Sequence, residues 1–274
     1  MRNGIVTALS AAAALLTCWA VARAQVAKPV AKPAPGSNSA PAATESHPDL
    51  SGVWVSAVAL GGARSRPKGP ITPETDETDD EVFRHAPLPL QPWAEEAFNY
   101  NHEGANPYSG GRNELKPYIA KCSPQGPTVD WQFGTFPFEI IQSQKRVLII
   151  FERDHEIRQI WTDGREHPKD FGHNWMGHSI GHWEGDTLVA DTIGLNDLTW
   201  LDKAGHVHSD QLHLIEKLQR VAPDKLRLDI TFDDPKTFTK PWSAFRYFYL
   251  KPDWQIEEEI LCEDNFIGKP IPLR

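Results

Sequence analysis

Residues 175–216 read WMGHSIGHWEGDTLVADTIGLNDLTWLDKAGHVHSDQLHLIE and hold five of the chain's eleven histidines. The stretch alternates side chains as a β-strand does rather than spacing them as a helix does. Glu184-Gly185 supplies a two-residue primed turn, with glycine free to take the positive φ such turns need. In that hairpin Trp183 faces Asp186, His182 faces Thr187, and His178 faces Asp191. A carboxylate beside an imidazole raises its basicity and fixes its tautomer, as general acid–base catalysis requires.

Strand parity extends the reading. Leu226, Leu228, Ile230 and Phe232 alternate with Arg227, Asp229 and Thr231, so the even face is inside. The preceding strand has Leu212, Leu214 and Leu218 on its even face. Continued regularly, that face also carries His208, Asp210 and Glu216, and it sends His213 to solvent. Unpaired buried polar groups cost about 1 to 3 kcal/mol each, so the three call for a network, a ligand or a function. The structural alternative has Asp210 capping a turn and Glu216 paired with an arginine such as Arg158.

Further β-rich runs separated by turn residues lie at 138–142, 147–152, 157–162, 179–183, 187–192, 211–219, 226–232, 244–250 and 256–261. Short strands at this spacing predict an all-β domain. A calycin- or lipocalin-like antiparallel barrel with a central cavity is the first reading and a β-sandwich the alternative. Pro92–Tyr100 predicts one short helix, with proline at its start and acids in its first turn. The rest before the first long strands reads as loops, including an acidic stretch at 61–80 that lacks the spacing of a calcium loop.

The first 24 residues combine Arg2, an apolar run from Ile5 to Val21 and a small-x-small site at Ala22-Arg23-Ala24, which predicts a cleaved signal peptide and a periplasmic or secreted protein. The apolar run is shorter than a membrane span, and no other segment reads as one. Cys18 leaves a weaker reading as a lipoprotein site. Residues 25–46, rich in Ala and Pro, predict a disordered linker ahead of a single domain over 47–274. Cleavage removes two arginines and makes the formal net charge of −9 two units more negative. That argues against nucleic acid as a partner and leaves a small molecule. Two cysteines remain, Cys122 and Cys262. In an oxidising compartment they are expected to form one disulfide, closing a loop of about 140 residues worth roughly 3 to 5 kcal/mol.

His206 and His208 place two imidazoles on one face of a strand, about 6.6 Å apart along it, with Asp210 one step further. Such a row could take a divalent metal with a partner from His178 or His182. Glu216 is about 26 Å along an extended strand from His208 and cannot join it. Without that metal no cofactor is expected. Ser179 lies in a G-x-S-x-G outline, but the strand–turn–helix context of a nucleophile elbow is missing. Trp175, Trp200 and Trp242, with Arg158, are candidates for binding a substrate.

The segments WMGHSIGHWEGDTLVADTIGLNDLTWLD, GHVHSDQLHLIEK, TFDDPKTFTKPW and the closing CEDN resemble a large family of exported bacterial proteins with a WEGDTLVVDT-like hairpin and a TxxDPxxxTxPW-like segment. The resemblance covers roughly residues 49–265. It implies export and a β-rich fold and brings no activity with it. Such relatives often carry Arg or Tyr where this chain has His182 and His178, which moves weight toward Asp191, His208 and Glu216. Together these readings predict an exported enzyme that acts on a small, partly apolar molecule by acid–base chemistry, as a lyase, hydratase, isomerase or hydrolase. His208 is the expected base, with Asp210 or Asp191 beside it and Glu216 as a second acid. The alternatives are a binding protein for a hydrophobic ligand and a histidine-ligated metalloenzyme.

Overall fold

A computed structural model describes residues 47–56, 88–102, 115–117, 122–132 and 136–259. The expected signal peptide, linker and acidic loop, together with Cys18 and Cys262, lie outside these residues. Nine strands close a barrel in sequence order: β1 (Gly52–Val55), β2 (Phe138–Gln142), β3 (Arg146–Phe151), β4 (Ile157–Trp161), β5 (His178–Glu184), β6 (Thr187–Ile193), β7 (His213–Ala222), β8 (Lys225–Asp233) and β9 (Trp242–Leu250). The predicted all-β barrel is therefore the observed fold. The helix α1 spans Pro92–His102, and a one-turn helix α2 spans Pro127–Asp130. No described helix is long and apolar enough to cross a membrane.

Two strand expectations need correction. The pairing is antiparallel except between β4 and β5, which run parallel and share only two residue pairs, Ile160 with Ser179 and Trp161 with Ile180. The chain crosses over between them through residues 162–177 instead of turning tightly. The described part of the expected strand at 256–261 forms one isolated bridge, Glu259 to Arg153.

Parity holds within the sheet. Leu214, Glu216 and Leu218 of β7 lie on the same buried face as Leu226, Leu228, Ile230 and Phe232 of β8. The interior is filled by aliphatic and aromatic side chains, where a central cavity was expected. Trp131, just after α2, lies among them with its ring edge-on to Phe138 and Phe151, at centroid distances of 5.1 and 5.2 Å. Gly181 makes room across the sparse β4–β5 seam, because a Cβ there would come within 2.7 Å of Ile160.

A charged pair sits inside this barrel, and a further guanidinium, that of Arg246 on β9, is also buried and donates to the Trp131 carbonyl at 2.6 Å. Glu216 is fully buried, and its carboxylate accepts from Arg158 through both oxygens, at 2.6 Å for Nη1, and from Trp131 Nε1 at 2.7 Å. Arg158 Nη2 also donates to Thr192 Oγ1 at 2.8 Å and Ser179 Oγ at 3.3 Å. A buried pair gains little net stability over an apolar one, but loss of one partner strands the other charge. Glu216→Ala is expected to cost about 3 to 5 kcal/mol in urea unfolding, and the double replacement Arg158→Met with Glu216→Leu clearly less. Equal losses from the two proteins would contradict this account of the pair.

Candidate functional site

The β4–β5 seam that Arg158 spans from inside is flanked outside the barrel by an open cleft of about 490 Å³. Its walls include Ile157, Gln159 and Trp161 on the outer face of β4, the crossover residues Phe171, Asn174, Trp175, Met176 and Gly177, and His178 and Ser179 at the start of β5. Pro124 and Glu156 also line it. Gly177 fits this spot because its φ is +66° and a Cβ would lie 2.7 Å from the Ile193 carbonyl.

Glu156 follows a tight turn in which Asp154 and His155 both hold positive φ, 53° and 50°, a conformation costly for residues other than glycine. The turn places Glu156 against α2, where Glu156 Oε1 accepts the Gln125 amide at 2.8 Å. Asp130 of α2 faces it from deeper in the protein. Neither Asp130 oxygen, nor Glu156 Oε2, finds a hydrogen-bond donor in the protein. Two facing carboxyl groups so enclosed do not readily both ionise, and a proton shared between them satisfies one oxygen of each, leaving the second Asp130 oxygen without a donor. Burial first, and then the Glu156 charge, push Asp130 well above the usual carboxylate range, with Arg153 opposing. Burial likewise lifts Glu156 to about 7, although the Gln125 amide works against it.

His178, which also lines the cleft, begins a chain of polar contacts. His178 Nδ1 lies 2.9 Å from His167 Nδ1, His167 Nε2 lies 3.1 Å from Asp191 Oδ1, and His213 Nε2 lies 2.8 Å from the same oxygen. Burial, then the neighbouring His167 and Arg165, hold His178 below its ordinary value, which favours the neutral imidazole. Burial alone would raise Asp191, but hydrogen bonds from His213 and His167 outweigh it and hold the carboxyl low. The bond to Asp191 raises His213.

Several sequence expectations change here. The β5–β6 turn is Gly185-Asp186, so Glu184 pairs with Thr187, and Asp191 faces Ile180 rather than His178. His178 and Asp191 still share the outer face, but His167 from the crossover bridges them in place of a direct contact. His213 does point away from the barrel interior, as parity requires, yet it is half-buried against Asp191 instead of free in solvent. His182 is exposed and pairs with Glu184 at 3.2 Å.

Asp210 leaves the buried face expected for it, because the strand begins only at His213. It is exposed and bridged to Lys236 at 2.7 Å. His208 is buried in the preceding loop, donating from Nδ1 to the Ser209 carbonyl at 3.0 Å and accepting at Nε2 from Thr199 at 2.7 Å. Burial holds it below its ordinary value, and with both nitrogens occupied it is a structural imidazole in this conformation. His206 turns to Asp202 at 2.5 Å and stacks on Phe98, so the expected two-histidine row with His208 is not assembled. Among the described residues no three His, Cys, Asp or Glu side chains are grouped to hold a metal.

Glu216 and Arg158 meet each other in the barrel, as the structural alternative had it. Trp200 is buried, and Trp242 stacks on Phe232 at 4.1 Å. Of the three tryptophans only Trp175 lines the cleft. Sequence reasoning singled out neither Asp130, Glu156 nor His167. No family model matches the chain, and neither does any curated protein or solved structure, so the geometry alone must carry a functional reading.

The Asp191 contacts have a testable pH signature. His213 is raised in the folded state, so its bond to Asp191 adds stability at pH below about 6.5, which is lost as pH rises through the folded value. Asp191→Asn is expected to bring the histidine's titration, followed by NMR, back to or below its ordinary range and to lower stability mainly at acid pH. An unchanged His213 titration would contradict the assignment.

Proposed function

We propose that this chain is an exported enzyme that moves protons on a small, partly apolar organic molecule held in the β4–β5 cleft. The observation that carries this reading is Glu156, a carboxyl at the cleft wall lifted to about 7 by burial and backed by Asp130. A group poised near neutral pH can both give and take a proton, and a strongly perturbed carboxyl in a cleft is a candidate functional group. His178 supplies a neutral imidazole to the same cleft, and His167 and Asp191 orient it. Pairs of titratable groups pushed to different protonation states are how one site runs acid and base steps together. Elimination, hydration, isomerisation and hydrolysis all fit this pairing.

Export rests on the N-terminal sequence. The disulfide expected between Cys122 and Cys262 belongs to the same reading, since an oxidising compartment favours it. The apolar walls of the cleft also suit a binding protein that holds a hydrophobic ligand without turnover.

Turnover separates the two. A screen of small esters, lactones, hydroxy acids and unsaturated acids identifies a substrate, against which Glu156→Gln and His178→Ala are each expected to lower kcat by about 10²- to 10⁴-fold with little change in melting temperature. His208→Ala is expected to lower the melting temperature and spare kcat in the protein that remains folded. Full turnover in folded Glu156→Gln would end the catalytic reading. A ligand bound tightly and never converted would favour the binding protein.

A further inference from the structure

We propose that the cleft takes a small organic cation carried on an aromatic or apolar body, with the charged nitrogen against Glu156 and the ring against Trp175 and Phe171. The inference rests on reading this cleft as the substrate site, and it adds the chemical class. Among the described residues that line the cleft there is no lysine or arginine, and the side chains that could meet a charge are Glu156 and the imidazole of His178. Arg165, stacked on the lining residue Trp161 at 3.5 Å, is neutralised by Asp163. An anionic ligand would thus enter without a fixed positive charge and beside a carboxyl pair.

The surroundings of Glu156 are rich in carboxyl groups. Asp130 from α2, Asp154 from the strained turn and Glu156 bear on one another, and Arg153 is the guanidinium among them. Arg153 is spoken for, donating to Gln125 Oε1 at 3.0 Å and paired with Asp154 at 3.4 Å. From the chain's later residues, Glu257 and Glu259 add negative charge around Glu152 of the same strand end. Asp130 is deeply buried with no donor on either oxygen, so it keeps its proton and leaves Glu156 as the carboxyl that can ionise toward a ligand. The remaining walls, Ile157, Trp161, Phe171, Trp175 and Met176, present apolar and π surface, which attracts a desolvated cation through the ring quadrupole as well as burying its apolar body.

A cation should bind better as the carboxyl pair loses the first of its two protons and comes to share the one that remains, so affinity is expected to rise between pH 6 and pH 8. Benzyltrimethylammonium is a suitable probe because its own charge does not titrate, and benzyl alcohol and benzoate match its ring with neutral and negative groups. Calorimetric titration of the mature protein at both pH values is expected to show the cation binding at least about tenfold tighter than benzoate at pH 8, with a several-fold loss at pH 6. Glu156→Gln is expected to abolish the preference for the cation, and Asp130→Asn to flatten its pH dependence. Trp175→Ala is expected to weaken all three probes. Circular dichroism checks that each variant is folded, and Asp130→Asn keeps the test alive should Glu156→Gln not fold.

Benzoate binding as tightly as the cation, cation affinity indifferent to pH, or failure of all three probes to bind would overturn the proposal. Loss of turnover in Glu156→Gln without cation selectivity would remove this inference alone. Cation selectivity with turnover indifferent to Glu156 and His178 would remove the catalytic reading and keep this one.

Discussion

The fully buried carboxylate of Glu216 ties together parts of the barrel that hydrogen-bonded strand pairing joins only weakly. It receives Arg158 from β4 and Trp131 from the segment after α2. Through Arg158 it reaches Ser179 on β5 and Thr192 on β6. The β4–β5 seam has two residue pairs, against seven between β5 and β6. Arg158 therefore fastens from inside one of the two junctions that have only two residue pairs, the other being β1–β9. Trp131, held in the interior by its bond to Glu216 and by Phe138 and Phe151, anchors α2 beside the barrel. Such a pair specifies position more than it adds stability, and each group would be costly without the others.

The position of the cleft follows from these constraints. The thin parallel seam leaves the outer face of β4 uncovered by β5, and the crossover folds back over it with Phe171, Trp175 and Met176. Anchoring of Trp131 sets Asp130 one residue away, behind Glu156, where burial disfavours ionising both carboxyls. His178, which also lines the cleft, opens β5 and meets His167 from the same crossover, with Asp191 and His213 behind. The structural pair inside the barrel and the carboxyl pair outside it are thus two consequences of one insertion. The first is satisfied by hydrogen bonds, and the second is short of them.

How far the sequence could be read depended on whether a feature was local. Period-two alternation located eight of the nine strands as long runs and put Glu216 on the inner face, because side-chain direction within a strand is a local property. The β5–β6 register slipped because Gly185 takes the first place in the turn rather than the second, a choice that Glu184-Gly185-Asp186 leaves open. Parity also failed when carried past the start of β7, since the loop at 206–210 follows Asp202 and its three backbone amide bonds instead of a strand path. His208 and Asp210 were misplaced for that reason. Asp130 and Glu156 lie 26 positions apart on a helix and a turn, and neither carries a local mark that they meet. The signals available were indirect: Pro-Thr-Val-Asp-Trp places an acid beside an aromatic anchor, and Arg-Asp-His-Glu is an unusually polar turn between two apolar strands.

The account turns on the carboxyl of Glu156 holding its proton near neutral pH. Carbon-13 NMR of protein labelled at the glutamate side-chain carboxyls, with Glu156→Gln used to assign the signal, measures this directly. The expected result is a Glu156 carboxyl that titrates near 7 and shifts toward the ordinary range when Asp130 is replaced by asparagine. A Glu156 signal that titrates with the exposed glutamates, near 4.3, would contradict it.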